Sequence, residues 1–250
     1  MKNPTHLFID ISNSWTKWSP GTLTRMARPR RHPTGQLNAT WVRCLLRDHP
    51  DARWMVSSVV PARSALLRRL VPAHRLHLLS HRSPLGIGID YPRPSRIGAD
   101  RLANAAAAAR LFGGPVVVVD FGTAVTFDIV SARRSYLGGV IAPGLGAMLD
   151  YLHERTALLP HIQLAEPRRA IGRSTLEAMR SGAVHGYRGL VRGILESIRR
   201  EMGVRRLPVI ATGGHATLIA RHLPEIGLVD PLLTLKGLQI PAQLEAHEPH

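Results

Sequence analysis

A chain of 250 residues with 44% hydrophobic content has ample material for a packed core, which excludes the disordered class. Its 33 Lys and Arg against 17 Asp and Glu leave a net charge of +16, which favours anionic partners without choosing among RNA, DNA and small anions. The single cysteine, Cys44, excludes an intramolecular disulfide and a cysteine-only metal site. No apolar run approaches the ~20 residues of a membrane helix, and Leu7 to Ile9 is too short for a signal-peptide core, so a cytoplasmic location is expected.

In chain order, His6 to Trp18 and onward to Pro20-Gly21 reads as a strand, a polar turn and a return strand. Pro29 to Pro33 reads as loop, Leu37 to Asp48 as helix, Trp54 to Val60 as a strand stopped by Pro61, and Ala62 to Leu70 as a helix with outward arginines. Leu76 to Leu79 is a further strand, Pro84 to Arg96 a Gly/Pro-rich loop, and Asp100 opens an alanine-rich helix to about Phe112. The second half repeats this order. Val116 to Val119, Val125 to Val130 and Tyr136 to Ile141 form a meander with a basic turn at Ser131 to Ser135. Helices follow from about Leu145 to Leu158 and from Ser174 to Met202, where Gly182, Gly186 and Gly189 mark close contacts or a bend. Val209 to Ala211 is a strand running into Thr212-Gly213-Gly214 and a helix to about His222.

Two of these apolar runs end in an aspartate, Asp10 and Asp120, followed by small and hydroxyl residues: Ser12, Asn13, Ser14 and Thr16 after the first, Gly122, Thr123 and Thr126 after the second. A carboxylate at the end of a buried strand is costly unless it meets a cation or a hydrogen-bonding partner, and small or hydroxyl residues let a backbone approach phosphate oxygens and donate to them. The repeated turn therefore points to a nucleotide clamp. Neither turn is a P-loop, and no GxGxxG follows a strand. Hairpin-first sheets followed by helices, once in each half, predict a duplicated α/β architecture in two lobes, residues 1–114 and 115–250, with ligands in the cleft between them.

Further stretches complete the pattern: Ser57-Ser58-Val59-Val60-Pro61; Tyr91, Pro94 and Gly98-Ala99-Asp100-Arg101; Asp120-Phe121-Gly122-Thr123-Ala124 with Thr126 and Asp128; Leu137-Gly138-Gly139 to Pro143-Gly144; Ile171-Gly172-Arg173-Ser174-Thr175; and Thr212-Gly213-Gly214. In this order and spacing they resemble type III pantothenate kinase, of the acetate kinase, sugar kinase, Hsp70 and actin superfamily, from about residue 7 to about 220. The resemblance implies a ribonuclease-H-like (actin-like ATPase) fold and transfer of the ATP γ-phosphate to pantothenate, the first step toward coenzyme A. It implies Asp100 as catalytic base, and Tyr91, Gly98, Arg101, Gly172 and Thr175 as substrate contacts. It implies Asp10, Asn13, Ser14, Lys17, Gly122, Thr123, Thr212, Gly213 and Gly214 around ATP. Asp10 would serve Mg²⁺, and Asp120 a monovalent cation, K⁺ or NH₄⁺. A homodimer with the active site near its interface is implied as well, Gly172 and Thr175 often being supplied across it.

The residues fit that chemistry on their own terms. Phosphoryl transfer needs positioning, charge neutralisation and a group to take the hydroxyl proton, and an acid at a helix start, held ionised by the dipole, suits the last role. Arg101 can take a carboxylate bidentately or form a structural salt bridge, and a helix N-cap explains Ser174-Thr175 nearly as well as substrate contact. His153, His161 and His185 lack metal-ligand spacing. The basic stretches at Arg25, Arg28, Arg30 and Arg31, and at Arg199, Arg200, Arg205 and Arg206, lack the interleaved aromatics of single-strand binders and read as solvated loops and helix ends, so nucleic acid is not the expected partner.

One departure stands out. The family's first turn usually reads D-x-G-N-T, whereas here Ser12 puts a Cβ where glycine allows close approach or positive φ, at a cost of about 1 kcal/mol or more if the turn requires it. That leaves two rivals to an active enzyme on pantothenate: a weakly active or inactive homologue acting as a regulatory factor, and a related kinase with another hydroxyl substrate.

Overall fold

The computed structural model describes residues 5–246. It divides into two compact units, the first comprising Met1–Gly113, Arg133–Leu137 and Leu232–His250 and the second Gly114–Ala132 and Gly138–Pro231. The first holds β1 (His6–Ile11), β2 (Trp15–Gly21), β3 (Arg30–Pro33), α1 (Ala39–Asp48), β4 (Arg53–Ser58), α2 (Pro61–Leu70), β5 (Leu76–Leu78), β6 (Gly88–Ile89) and α3 (Ala99–Phe112). Next along the chain come β7 (Val116–Phe121), β8 (Ala124–Val130), β9 (Ser135–Pro143), α4 (Leu145–Arg155), α5 (Thr175–Glu201), β10 (Val209–Gly213), α6 (Ala216–Ala220) and β11 (Leu228–Val229). The last helix, α7 (Leu233–Glu245), belongs again to the first unit.

The first sheet has the order β3-β2-β1-β4-β5, with β1 antiparallel to β2 and parallel to β4. In the second, β9-β8-β7-β10-β11 repeats that order, β7 being antiparallel to β8 and parallel to β10. The same five-strand topology built twice is the duplicated ribonuclease-H-like fold. It puts Asp10 and Asp120 at equivalent places, each fifth in a six-residue strand at the middle of its sheet.

Local chemistry explains most element boundaries. Asn38 caps α1 by accepting from the Trp41 backbone N–H at 3.0 Å, Pro61 opens α2, and α3 stops at Gly113, which holds φ at 76°. Ser174 caps α5 by accepting from the Glu177 N–H at 3.2 Å, while Glu177 accepts from the Arg173 N–H at 2.8 Å. One face of the first sheet, carrying Leu7, Ile9, Ile11, Trp54 and Val56, is sealed by α1 and α2. The other, carrying Phe8 and Met55, packs on α3 and α7.

Several sequence expectations differ from this arrangement. Residues 29–33, read as loop, contain the edge strand β3, recruited by pairing with β2 rather than by its own Arg-Arg-His-Pro sequence. The arginines there do have aromatic partners, supplied across the ladder: Arg30 lies 5.0 Å over Trp18 and Arg31 4.5 Å over Trp15. A Cβ at Gly182, Gly186 or Gly189 would meet nothing within 4 Å, so these glycines mark no close contact within the described chain. The first unit is built from three stretches of chain, and at the C-terminal end α7 joins it.

The reason is packing. Leu235, Leu238, Ile240 and Ala242 of α7 complete the core with Phe8, Met55, Leu102 and Ala106, and Gly237 meets the α3 backbone so closely that a Cβ would lie 2.1 Å from the Ala103 carbonyl oxygen. Gly237→Ala is therefore expected to destabilise the fold by about 1–3 kcal/mol despite alanine's better helix propensity, whereas Gly182→Ala, with open space around it, should be neutral or stabilising by up to about 1 kcal/mol. Urea unfolding of the two variants beside the wild type measures both.

Candidate active site

The turn after β1 is fixed from behind by β3 and the residue that follows it. The Thr34 backbone N–H donates to the Ser14 carbonyl at 3.1 Å, its hydroxyl donates to the Ser12 carbonyl at 2.8 Å, and it lies 3.0 Å from the buried Thr16 hydroxyl. Thr34 is 2% exposed and Thr16 fully buried, so these bonds are shielded from water. The Ser12 N–H donates to the Trp15 carbonyl, closing the turn, and the Ser12 hydroxyl donates to an Asp10 carboxylate oxygen at 3.1 Å. Asn13 and Ser14 are exposed at its tip. Lys17 stands directly opposite Asp10 in the ladder, and Ser57 does so on the other side.

Ser12 carries no backbone penalty. Among the described residues only Arg134 combines a side chain with positive φ. The equivalent Gly122 does not have positive φ either, and a Cβ there would meet its nearest neighbour, the Ala124 carbonyl oxygen, only at 3.4 Å. The conformational cost foreseen for Ser12 applies only to a turn needing positive φ, and this one does not.

The second turn is braced by backbone. The Gly144 N–H donates to the Thr123 carbonyl at 3.1 Å, and a Cβ on Gly144 would lie 2.2 Å from that oxygen. The adjoining Pro143 carbonyl accepts from the Tyr187 hydroxyl of α5 at 3.1 Å, and burial pushes that phenol up to about 12. Thr212, 1% exposed, faces Asp120 across β10 and β7. Gly213 next to it holds φ at 94°, and a Cβ there would fall 2.6 Å from an Asp120 carboxylate oxygen, whereas Gly214 has open space. Gly213 is thus required by conformation and by its approach to Asp120.

A third group sits at the start of α3 in the first unit. The Asp100 carboxylate accepts from the Arg101 backbone N–H at 2.8 Å, and a Cβ on Gly98 would lie 2.6 Å from the same carboxylate oxygen. Burial pushes the Asp100 carboxyl above its ordinary range, with the Arg101 N–H and charge opposing it. The Arg101 N–H and charge favour the ionised form, in the sense expected of an acid at a helix start. The Arg101 guanidinium lies 5.9 Å from the centre of the buried Tyr136 ring, against which Tyr91 packs edge-on at 6.1 Å. This group adjoins the first turn through Val59, whose N–H donates to the Ile11 carbonyl at 3.1 Å and whose methyl is 3.6 Å from where a Gly98 Cβ would be.

The first unit therefore gathers Asp10, Asn13, Ser14, Lys17, Tyr91, Gly98, Asp100 and Arg101, and the second carries Asp120, Gly122, Thr123, Gly172, Thr175, Thr212, Gly213 and Gly214. Gly172 packs on the first turn of α5, where a Cβ would lie 2.2 Å from the Ala178 nitrogen, and Thr175 is exposed beside the Ser174 cap. Thr34, Tyr136 and Tyr187 escaped the sequence reading. Among the described residues no group of three or more His, Cys, Asp or Glu could hold a metal. A hard cation that keeps most of its waters needs only one or two carboxylates, and the buried Asp10, set among hydroxyls, offers the all-oxygen surroundings it prefers.

A family model described as type III pantothenate kinase matches residues 6–197. A curated type III pantothenate kinase of Akkermansia muciniphila is 51% identical over 245 residues, covering 96% of this chain and 99% of its own length. Another, of Methylacidiphilum infernorum, is 43% identical over 235 residues, covering 94% and 86%. A solved structure from Sinorhizobium meliloti, provisionally described as a 2-dehydro-3-deoxygalactonokinase protein, superimposes with a TM-score of 0.60 at 15% identity over 98% of this chain and 97% of its own, a likeness of fold alone.

The brace on the first turn is directly testable. Thr34→Val removes the hydroxyl from the Ser12 carbonyl and leaves Thr16 without its partner, and should cost about 1–3 kcal/mol in denaturant unfolding, with Thr34→Ser recovering most of the loss.

Proposed function

The chain belongs to the type III pantothenate kinase family, and we propose that it transfers the γ-phosphoryl group of ATP to the primary hydroxyl of pantothenate, giving 4′-phosphopantothenate and ADP at the first step of coenzyme A synthesis. The observation that carries this reading is the group on the first turn of α3. It sets a carboxyl raised by burial next to an arginine and a tyrosine pair, in the unit that also holds the first acid turn. Asp100 accepts the hydroxyl proton as the new P–O bond forms and the bond to the β-phosphate oxygen breaks. Arg101 takes the pantothenate carboxylate, with Tyr91 and Gly98 along the substrate chain. A raised carboxyl is a stronger base than an exposed aspartate, at the cost of protonating at higher pH.

Asp10, Asn13, Ser14, Lys17, Gly122 and Thr123 hold the ATP phosphates, and Thr212, Gly213 and Gly214 flank the adenosine. Mg²⁺, bound at Asp10, would neutralise phosphate charge, and K⁺ or NH₄⁺ at Asp120 would add to it. Gly172 and Thr175 contribute to the pantothenate site of a homodimer, a reading supported by the exposure of Ile171 (82%), Leu158 (90%) and Tyr151 (61%) in the same unit. No helix among the described residues is long and apolar enough to cross a membrane, and a cytoplasmic location accords with the single cysteine.

Mass-spectrometric detection of phosphopantothenate from pantothenate and Mg-ATP, in potassium and in sodium, tests the assignment. Product is expected with potassium, and Asp100→Asn should lower kcat by at least about a hundredfold. For the wild type, kcat/KM should fall on the acid side with an apparent pKa above that of an exposed aspartate, because the raised carboxyl is protonated and inactive as a base below that point. Absence of phosphopantothenate from a folded wild type would refute the function.

A further inference from the structure

Lys17 and Arg31 are direct partners in the antiparallel β2–β3 ladder, so their side chains leave the sheet on one face, and Lys17 in turn pairs with Asp10 on β1. Two like charges opposed in this way weaken a sheet. Among the described residues neither side chain has an ion pair or a hydrogen bond, and the acid in this row, Asp10, stands beside Lys17 and not beside Arg31. Arg31 is nevertheless held in place: its guanidinium lies 4.5 Å over the ring of Trp15, the residue that closes the first acid turn and is itself 43% exposed. Arg30 makes a contrasting pair on the opposite face, over Trp18, which is 6% exposed and belongs to the core. Both arginines are exposed, but Arg31 lies on the face that carries Asp10 and Lys17, and Arg30 on the opposite one.

We propose that Arg31, oriented by Trp15, forms with Lys17 an anion subsite that takes a phosphate group of the nucleotide, extending the phosphate-binding surface from the β1–β2 turn to the edge strand β3. The inference rests on the kinase reading for the identity of the ligand, but its chemistry asks only for a phosphate anion. A planar guanidinium presents paired donors to phosphate oxygens while its face stays on the indole, and the lysine adds a point charge from the neighbouring strand. The unfavourable cation pair then stabilises a bound state at the expense of the free fold.

The test compares Arg31→Gln with Arg30→Gln in the full chain, reading the KM for ATP, the KM for pantothenate, the Kd for tripolyphosphate by calorimetry, and the melting temperature without ligand. Arg31→Gln should raise the KM for ATP and the Kd for tripolyphosphate by about tenfold to a hundredfold, leave the KM for pantothenate within twofold, and melt no lower than wild type. Arg30→Gln should leave all three ligand constants within twofold. Equal loss of tripolyphosphate binding in both variants, or unchanged ATP and tripolyphosphate constants in Arg31→Gln, would overturn the subsite. A lower melting temperature with unchanged constants would overturn it too, marking Arg31 as structural. A wild type that binds tripolyphosphate in an Arg31-dependent way yet forms no phosphopantothenate would uphold the subsite and reject the kinase reading.

Discussion

A carboxylate near the end of a sheet's middle strand, with hydrogen-bonded strands on both sides, is the constraint from which the rest of this molecule can be understood. Asp10 is 4% exposed and Asp120 occupies the equivalent place in the second sheet. Apolar packing cannot satisfy such a group, so the residues around it must supply hydroxyls, backbone N–H groups or room for a cation. Short polar turns, a glycine against the Asp120 carboxylate and a threonine facing it all answer that demand.

The two halves answer it with one shared device and one that differs. In the first unit the residue after the edge strand, Thr34, holds the Ser14 carbonyl by its backbone N–H and the Ser12 carbonyl by its hydroxyl. In the second the residue in the same place, Gly144, holds the Thr123 carbonyl by its backbone N–H, and a phenol from the long helix bonds the adjoining Pro143 carbonyl. A turn held from behind by hydrogen bonds does not depend on glycine's freedom, which is why serine at position 12 is compatible with the geometry. Duplication has preserved the strand order, the acid and the backbone brace, while the side-chain support has diverged.

Much of this was legible in the sequence because apolar runs that end in an acid are rare and informative. β1, β7, β8 and β10 lie where hydrophobicity puts them, and the two acids stand at equivalent places in β1 and β7. β3 was not legible, since Arg-Arg-His-Pro between prolines has no strand pattern and becomes a strand only by pairing with β2. α7 escaped notice because it is buried nearly all round and contains Gly237 and Pro241, so it has neither an amphipathic stripe nor clean propensity. Thr34, Tyr136 and Tyr187 act through partners distant in sequence, which no local spacing encodes. Asp100 was visible as a position, but its raised carboxyl is a product of tertiary burial, which no local pattern encodes.

The return of α7 to the first unit has a consequence for how the chain is made. Leu235, Leu238 and Ile240 complete the core beneath Phe8 and Met55, strand residues that leave the ribosome some two hundred residues earlier. The second unit's strands are therefore synthesised while the first still lacks one wall, so the amino-terminal half waits on the carboxyl terminus. Deletion of α7 would accordingly damage the unit that carries Asp10 and Asp100, the one encoded farthest from the cut.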